Sequence, residues 1–265
     1  MGNVNVVFSV DASGGIGDGG NHLTMRNFRY RINSTVSELR LRRVGKKLSA
    51  LESDRGGKRL LGNNPRLSFS QFGEDAILQS MLPETVGRYI DVGSGDPIRG
   101  SNTYALYLQG WRGYCIDPIL SNVVRARSLR PGDVAVHAAV SSNATPVQFY
   151  ECDPYEYSTA SAQRAEELKA DGIRCVATYI VNPMKLSDLQ CDGSVFTVLS
   201  IDVEGMELDV LSTNDWQALR PEILILEDWE TPLVHTSELR DYVEEMGYAL
   251  VGVTGLSCIY RRIEN

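Results

Sequence analysis

A chain of 265 residues that is 43% hydrophobic and 23% charged has ordinary globular composition, enough apolar material for one core and a small extra segment. Its formal net charge of −8 lacks the basic excess on which generic nucleic-acid binding depends, so no nucleic-acid partner is expected. Five cysteines (Cys115, Cys152, Cys175, Cys191, Cys258) form no CxxC pair, which argues against a zinc knuckle and points to a reducing, cytoplasmic compartment.

No apolar run approaches the roughly 18 residues of a membrane span. The opening VNVVFSV has no basic residue ahead of it, so no secretory signal is expected, and Val6 breaks a myristoylation match. Residues 11–21, DASGGIGDGGN, contain a GxGxxG spacing from Gly15 to Gly20. A dinucleotide site needs a helix directly after the glycines and an acid ending a second strand. Glu38 lies at about that distance, but in a basic, helix-like context, so the stretch reads as a tail. Residues 26–59 hold eleven Lys or Arg against Glu38, Glu52 and Asp54. This is either a solvated helical face or an arm for an anionic partner. Residues 1–66 thus form a tail and basic helical segment, and the expected folded domain is 67–265.

From residue 67 onward, β-prone runs alternate with amphipathic segments, the pattern of an α/β fold with a parallel sheet. The predicted strands are 88–91, 113–117, 133–138, 195–201, 222–227, 247–253 and 256–261, the last two closing as an antiparallel hairpin. ECDPYEYSTASAQRAEELKADG (151–172) interrupts this rhythm and reads as an insertion, with Tyr155 and Tyr157 placed to stack on a sugar ring. In TSELRDYVEEM (236–246), Leu239, Tyr242, Val243 and Met246 make one helical stripe, and Gly247 is its stop.

Four strands end on acids: YID at Asp91, CID at Asp117, VLSID at Asp202 and ILILED at Glu227 and Asp228. In an open parallel sheet these ends share one edge, where ligands bind. Unpartnered buried carboxylates are costly, so the acids call for ligand hydroxyls, an ammonium group or a metal. Gly93 and Gly95 in YIDVGSGDP let a ligand approach the backbone. Asp117, 22 residues past Gly95, suits the two hydroxyls of a ribose. Pro97 stands at the place of a third glycine, and Asp91 and Asp96 would repel a pyrophosphate. S-adenosylmethionine, cationic and free of phosphate, therefore suits the site better than a nicotinamide dinucleotide.

SQFGED (70–75), YIDVGSGDP, SNTYALYLQGWRGYCIDP, HAAVSS (137–142), VQFY (147–150) and VLSIDVEGMELDVL (198–211) together resemble the FkbM family of S-adenosylmethionine-dependent methyltransferases, over residues 68–229. Two departures stand out: Pro97 for a glycine and Ser200 for the usual lysine. The resemblance implies a Rossmann-like class I methyltransferase fold, a seven-stranded, mostly parallel sheet with helices on both faces. It implies methyl transfer to a hydroxyl of a glycan, glycolipid or natural product, hence a small-molecule, glycan or lipid-linked acceptor. It implies donor contacts from Asp91, Gly93, Ser94, Gly95, Asn102, Thr103, Asp117 and Ala139.

An alcohol needs a base or a metal to remove its proton at neutral pH. Asp202, Glu227 and Asp228 are the expected ligands of a Mg²⁺ ion, as in similar macrolide-sugar O-methyltransferases. In a metal-free site, Asp202 and Glu204 act while Glu227 and Asp228 cap backbone. Glu204 and His235 are the candidate bases. Glu207 is expected at the start of the next helix, and His137 at the end of the third strand. The alternative is a catalytically silent nucleoside-binding module whose basic arm meets a partner.

Overall fold

The computed structural model describes residues 68–82, 85–189, 195–228, 230–231 and 236–263. The glycine-rich stretch, the basic segment of residues 26–59, His22 and His235 lie outside the described residues.

The chain runs through α1 (Glu74–Met81), β1 (Arg88–Val92), α2 (Tyr104–Leu108), β2 (Arg112–Asp117), α3 (Leu120–Leu129), β3 (Val134–His137), β4 (Ala139–Val140) and β5 (Val147–Asp153). It continues through α4 (Ala162–Ala170), β6 (Arg174–Val181), β7 (Pro183–Met184), β8 (Val198–Ile201), α5 (Glu207–Ser212), β9 (Ile223–Glu227), α6 (Glu238–Glu245), β10 (Tyr248–Thr254) and β11 (Ser257–Arg262). Seven strands make one sheet in the order β10-β11-β9-β8-β1-β2-β3. The five from β9 to β3 are parallel, and β11 and β10 close it antiparallel. This is the Rossmann-like class I methyltransferase architecture that the resemblance implies.

The sheet is buried on both faces, which explains its nearly continuous apolar runs. On one face Ile90, Val92, Ile116, Leu199, Ile201, Leu224 and Leu226 pack against Val210 and Leu211 of α5 and Leu239 and Val243 of α6. On the other, Tyr89, Val198, Ile223, Ile225 and Ile259 meet Leu78 of α1 and Leu106 of α2. The period of two along each strand sorts side chains between the layers. Helix α6 carries the predicted stripe. The Ser237 hydroxyl accepts the Arg240 amide at its start, and Gly247, at φ 85°, ends it.

The insertion is larger than the sequence suggested. β5 and β6 pair antiparallel as a separate two-stranded arm. Between them lie a short 3-10 turn, Tyr155–Tyr157, and α4. β6, RCVATYIV, was not predicted as a strand. Its Val176, Thr178 and Ile180 alternate outward and are exposed, so the segment lacks the apolar density of the central strands.

Candidate active site

The sheet register fixes which residues share the carboxyl edge. Val92 pairs with Ile116 and with Ile201, and Ile201 pairs with Leu226. The next position on each strand therefore forms one row: Asp117, Gly93, Asp202, Glu227. Asp91 is not in that row. It lies one pleat lower, opposite Cys115 and Ser200.

The β1–β2 half of the edge is closely built. Gly93 has φ 72°, and a β-carbon there would fall 1.8 Å from the Asp202 carbonyl oxygen. Its glycine is therefore required by the neighbouring strand, whatever binds outside. Gly95 has φ 53° and meets no backbone closely; a β-carbon there would stand 3.6 Å from the Tyr155 ring. Ser94 is buried, and its amide bonds to the Ile116 carbonyl at 3.2 Å.

Asp117 is only 3% exposed. Its carboxylate accepts the Gly95 amide at 2.7 Å, the Ile119 amide at 2.7 Å and the Asn122 side-chain amide at 3.3 Å. Burial nonetheless pushes its pKa up to about 6, against the pull of those donors. Asp117 thus latches the glycine turn to β2, and a ribose would compete for its remaining lone pairs.

Asp91 has the same pKa, about 6, also through burial. It accepts a short hydrogen bond from the Thr103 hydroxyl and feels the Arg130 charge. Arg130 is fully buried, a feature that no sequence pattern announced. It ion-pairs with Asp133 at 2.7 Å and donates to the Tyr89 hydroxyl at 2.7 Å and the Thr103 hydroxyl at 2.9 Å. It also reaches the Ser101 hydroxyl at 3.3 Å and the Pro97 carbonyl at 3.5 Å. Asp91 therefore acts below the turn, in a charged girder that supports it. Asn102 donates to the Ser200 hydroxyl at 3.1 Å, so the departure from lysine at 200 leaves a small polar contact. Ala139 packs beside Ile119, Phe149 and Val181. His137 is within 2.9 Å of the Pro118 carbonyl through Nε2.

The β8–β9 half is open. Asp202, Glu204 and Glu227 each offer a carboxylate oxygen, all within 4.8 Å of one another. Asp202 is solvent-exposed by area, yet its carboxyl is pushed well above the usual range. Desolvation by the surrounding protein leads, followed by the charges of Glu227, Glu204, Glu207 and Asp91. Glu204 is held at φ 57°, where a side chain costs about 1–2 kcal/mol. Glu207, the first residue of α5, folds back to accept the Val203 amide at 3.0 Å and the Gly205 amide at 3.3 Å. It braces the loop that presents Glu204.

Asp228 corrects the expected ligand set. It is buried and accepts the Ser237 hydroxyl at 2.6 Å, the Thr231 hydroxyl at 2.7 Å, and the Glu230 and Thr231 amides at 3.0 Å each. Those donors hold its pKa below the usual range. Glu204 takes its place in the cluster.

The site fits a nucleoside donor: Asp117, held by amides, can accept a ribose hydroxyl, while Asp91 faces the Arg130 charge and Asp96 pairs with Arg125 at 2.7 Å. The exposed trio fits a hard cation by its oxygen donors and mutual repulsion.

Residues 91–250, more than half of the chain, match the family model described as "Methyltransferase FkbM domain". Among solved structures the chain is similar to a methyltransferase FkbM from Methylobacillus flagellatus KT, at 14% identity and TM-score 0.47, covering 73% of this chain and 48% of that one. The chain thus spans about half the length of that protein. It is also similar to a TehB-like SAM-dependent methyltransferase from Corynebacterium glutamicum, at 13% identity and TM-score 0.39, covering 88% of this chain and 100% of that one. No curated protein matches the chain.

Proposed function

Because the chain belongs to the FkbM methyltransferase family, we propose that it transfers a methyl group from S-adenosylmethionine to a hydroxyl oxygen of a small-molecule, glycan or lipid-linked acceptor. When bound, S-adenosylmethionine supplies a methyl carbon made electrophilic by its sulfonium.

The observation that carries this reading is the division of one sheet edge into two kinds of acid. Asp117 and the glycine turn form a tight, buried half suited to a nucleoside. Gly93 joins the halves, with Asp202 directly beside it. A donor laid along the turn therefore brings its reactive end to Asp202. Holding an acceptor in line there can supply about 7–11 kcal/mol of the barrier.

Among the described residues, Asp202 is the best-placed base. Burial, then the charges of Glu227 and Glu204, raise its proton affinity, as a general base requires. It takes the acceptor's hydroxyl proton as the oxygen bonds to the methyl carbon and the carbon–sulfur bond breaks, releasing S-adenosylhomocysteine. Glu204, presented by a strained loop, orients the hydroxyl. The same donor set fits Mg²⁺, which Asp202, Glu204 and Glu227 would hold and which would supply positive charge for ionising the hydroxyl.

Transfer of a deuterated methyl group to hydroxylated acceptors, followed by mass spectrometry, tests the reading. Asp202→Asn should lower transfer by roughly 10²–10⁴-fold. Activity lost in EDTA and restored by Mg²⁺ assigns the trio to the ion. EDTA-resistant activity leaves Asp202 as a metal-free base. Wild-type transfer rates in Asp202→Asn would refute both roles.

A further inference from the structure

The β5–β6 arm brings an aromatic ring to the glycine turn. Tyr155 lies 3.6–3.7 Å from the position that a β-carbon on Gly95 would occupy. The same residue packs against the cluster of Ile119, Phe149 and Val181. Gly95 and Ile119 are the two residues whose backbone amides hold Asp117. The Tyr155 ring therefore lies beside one neighbour of the acid that the donor reading assigns to ribose and packs on the cluster that contains the other.

The arm fixes this placement. Tyr150 and Thr159 exchange backbone hydrogen bonds of 2.8 and 3.0 Å around the 3-10 turn, and the Ser158 hydroxyl accepts the Cys152 amide at 3.0 Å. Tyr179, from β6, packs on the same cluster. Tyr157, two residues past Tyr155, is 45% exposed.

We infer that Tyr155 is a positioning residue of the donor pocket: its ring walls the nucleoside side, between the glycine turn and the β2–α3 connection. The inference rests on the donor reading above and changes the part played by the insertion. Tyr155 is half-buried. A nucleoside offers a flat, weakly polar base joined to a hydroxyl-bearing ribose. An aromatic wall beside a carboxylate acceptor matches both parts. The insertion, expected to meet the acceptor sugar, would instead set donor affinity.

Calorimetry on the full chain with S-adenosylhomocysteine and with adenosine tests this, comparing wild type, Tyr155→Ala and Tyr155→Phe, with thermal melts to confirm folding. Tyr155→Ala should weaken both ligands by the same factor, roughly tenfold, and Tyr155→Phe should restore both. A purely structural role would lower the melting temperature without the Phe-rescued, nucleoside-matched loss. A folded Tyr155→Ala with unchanged affinity, or with tighter binding, would overturn the inference. So would a loss confined to S-adenosylhomocysteine. If Tyr155→Ala does not fold, Tyr155→Leu serves in the same comparison. Wild-type protein that binds neither ligand would instead refute the donor reading.

Discussion

The β1–β2 and β8–β9 halves of the sheet edge carry the same signature, an apolar strand that ends in an acid, yet they are physically opposite. Asp117 and Asp91 are buried and bonded to the chain's own donors. Asp202, Glu204 and Glu227 crowd one another at the surface. The first half has the rigidity of a binding platform. The second concentrates negative charge, which a proton, a cation or a substrate hydroxyl would relieve. Acids at strand ends thus mark where a site is, while the donors around them decide what each acid does.

Removing the girder should break the contrast most severely. Arg130→Ala strands Asp133 and Asp91 without their buried counter-charge. It should cost about 3–5 kcal/mol in denaturant-induced unfolding. A loss below about 1 kcal/mol would mean that the β1–β2 half is not held from below.

Stability against pH sharpens the comparison next. Asp91 and Asp117, at about 6, and Asp202, raised well above its usual range, bind protons more tightly folded than unfolded. The contribution of Asp91 and Asp117 is complete below the ordinary aspartate range and is lost as pH rises through about 6, and Asp202 acts in the same direction. Each pH unit by which folding moves a carboxyl's titration upward is worth roughly 1.4 kcal/mol. Ligand-free protein should therefore lose a few kcal/mol between about pH 4 and pH 7. Asp228 and Asp209, held below the usual range, act in the opposite sense at lower pH. Asp202→Asn should reduce the loss of stability with rising pH. An unchanged slope would remove the crowding ascribed to Asp202.

Much of this was legible in the sequence. The seven sheet strands follow from dense Val, Ile and Leu runs, and α6 from its stripe, capping serine and stopping glycine. Asp117, Asp202 and Glu227 of the edge row followed from strand ends, whereas Asp91 lies one pleat lower. What stayed hidden depended on contacts distant along the chain. Gly93 answers to Asp202, on a strand far away in sequence. Asp228 is claimed by Thr231 and Ser237 through a local fold that spacing does not reveal. Arg130 reads as one more loop arginine in LRPGD, and its burial is decided by Tyr89 and Thr103. The arm strand β6 was missed because its outward face remains exposed.

The division of the edge is tested most directly by titrating S-adenosylhomocysteine into wild type, Asp117→Ala and Asp202→Asn. Wild type should bind. Asp117→Ala should weaken binding by about 1–3 kcal/mol, through loss of a charged acceptor, and Asp202→Asn should bind as wild type does. Undiminished binding by Asp117→Ala, with the loss falling on Asp202→Asn, would contradict the assignment of the two halves.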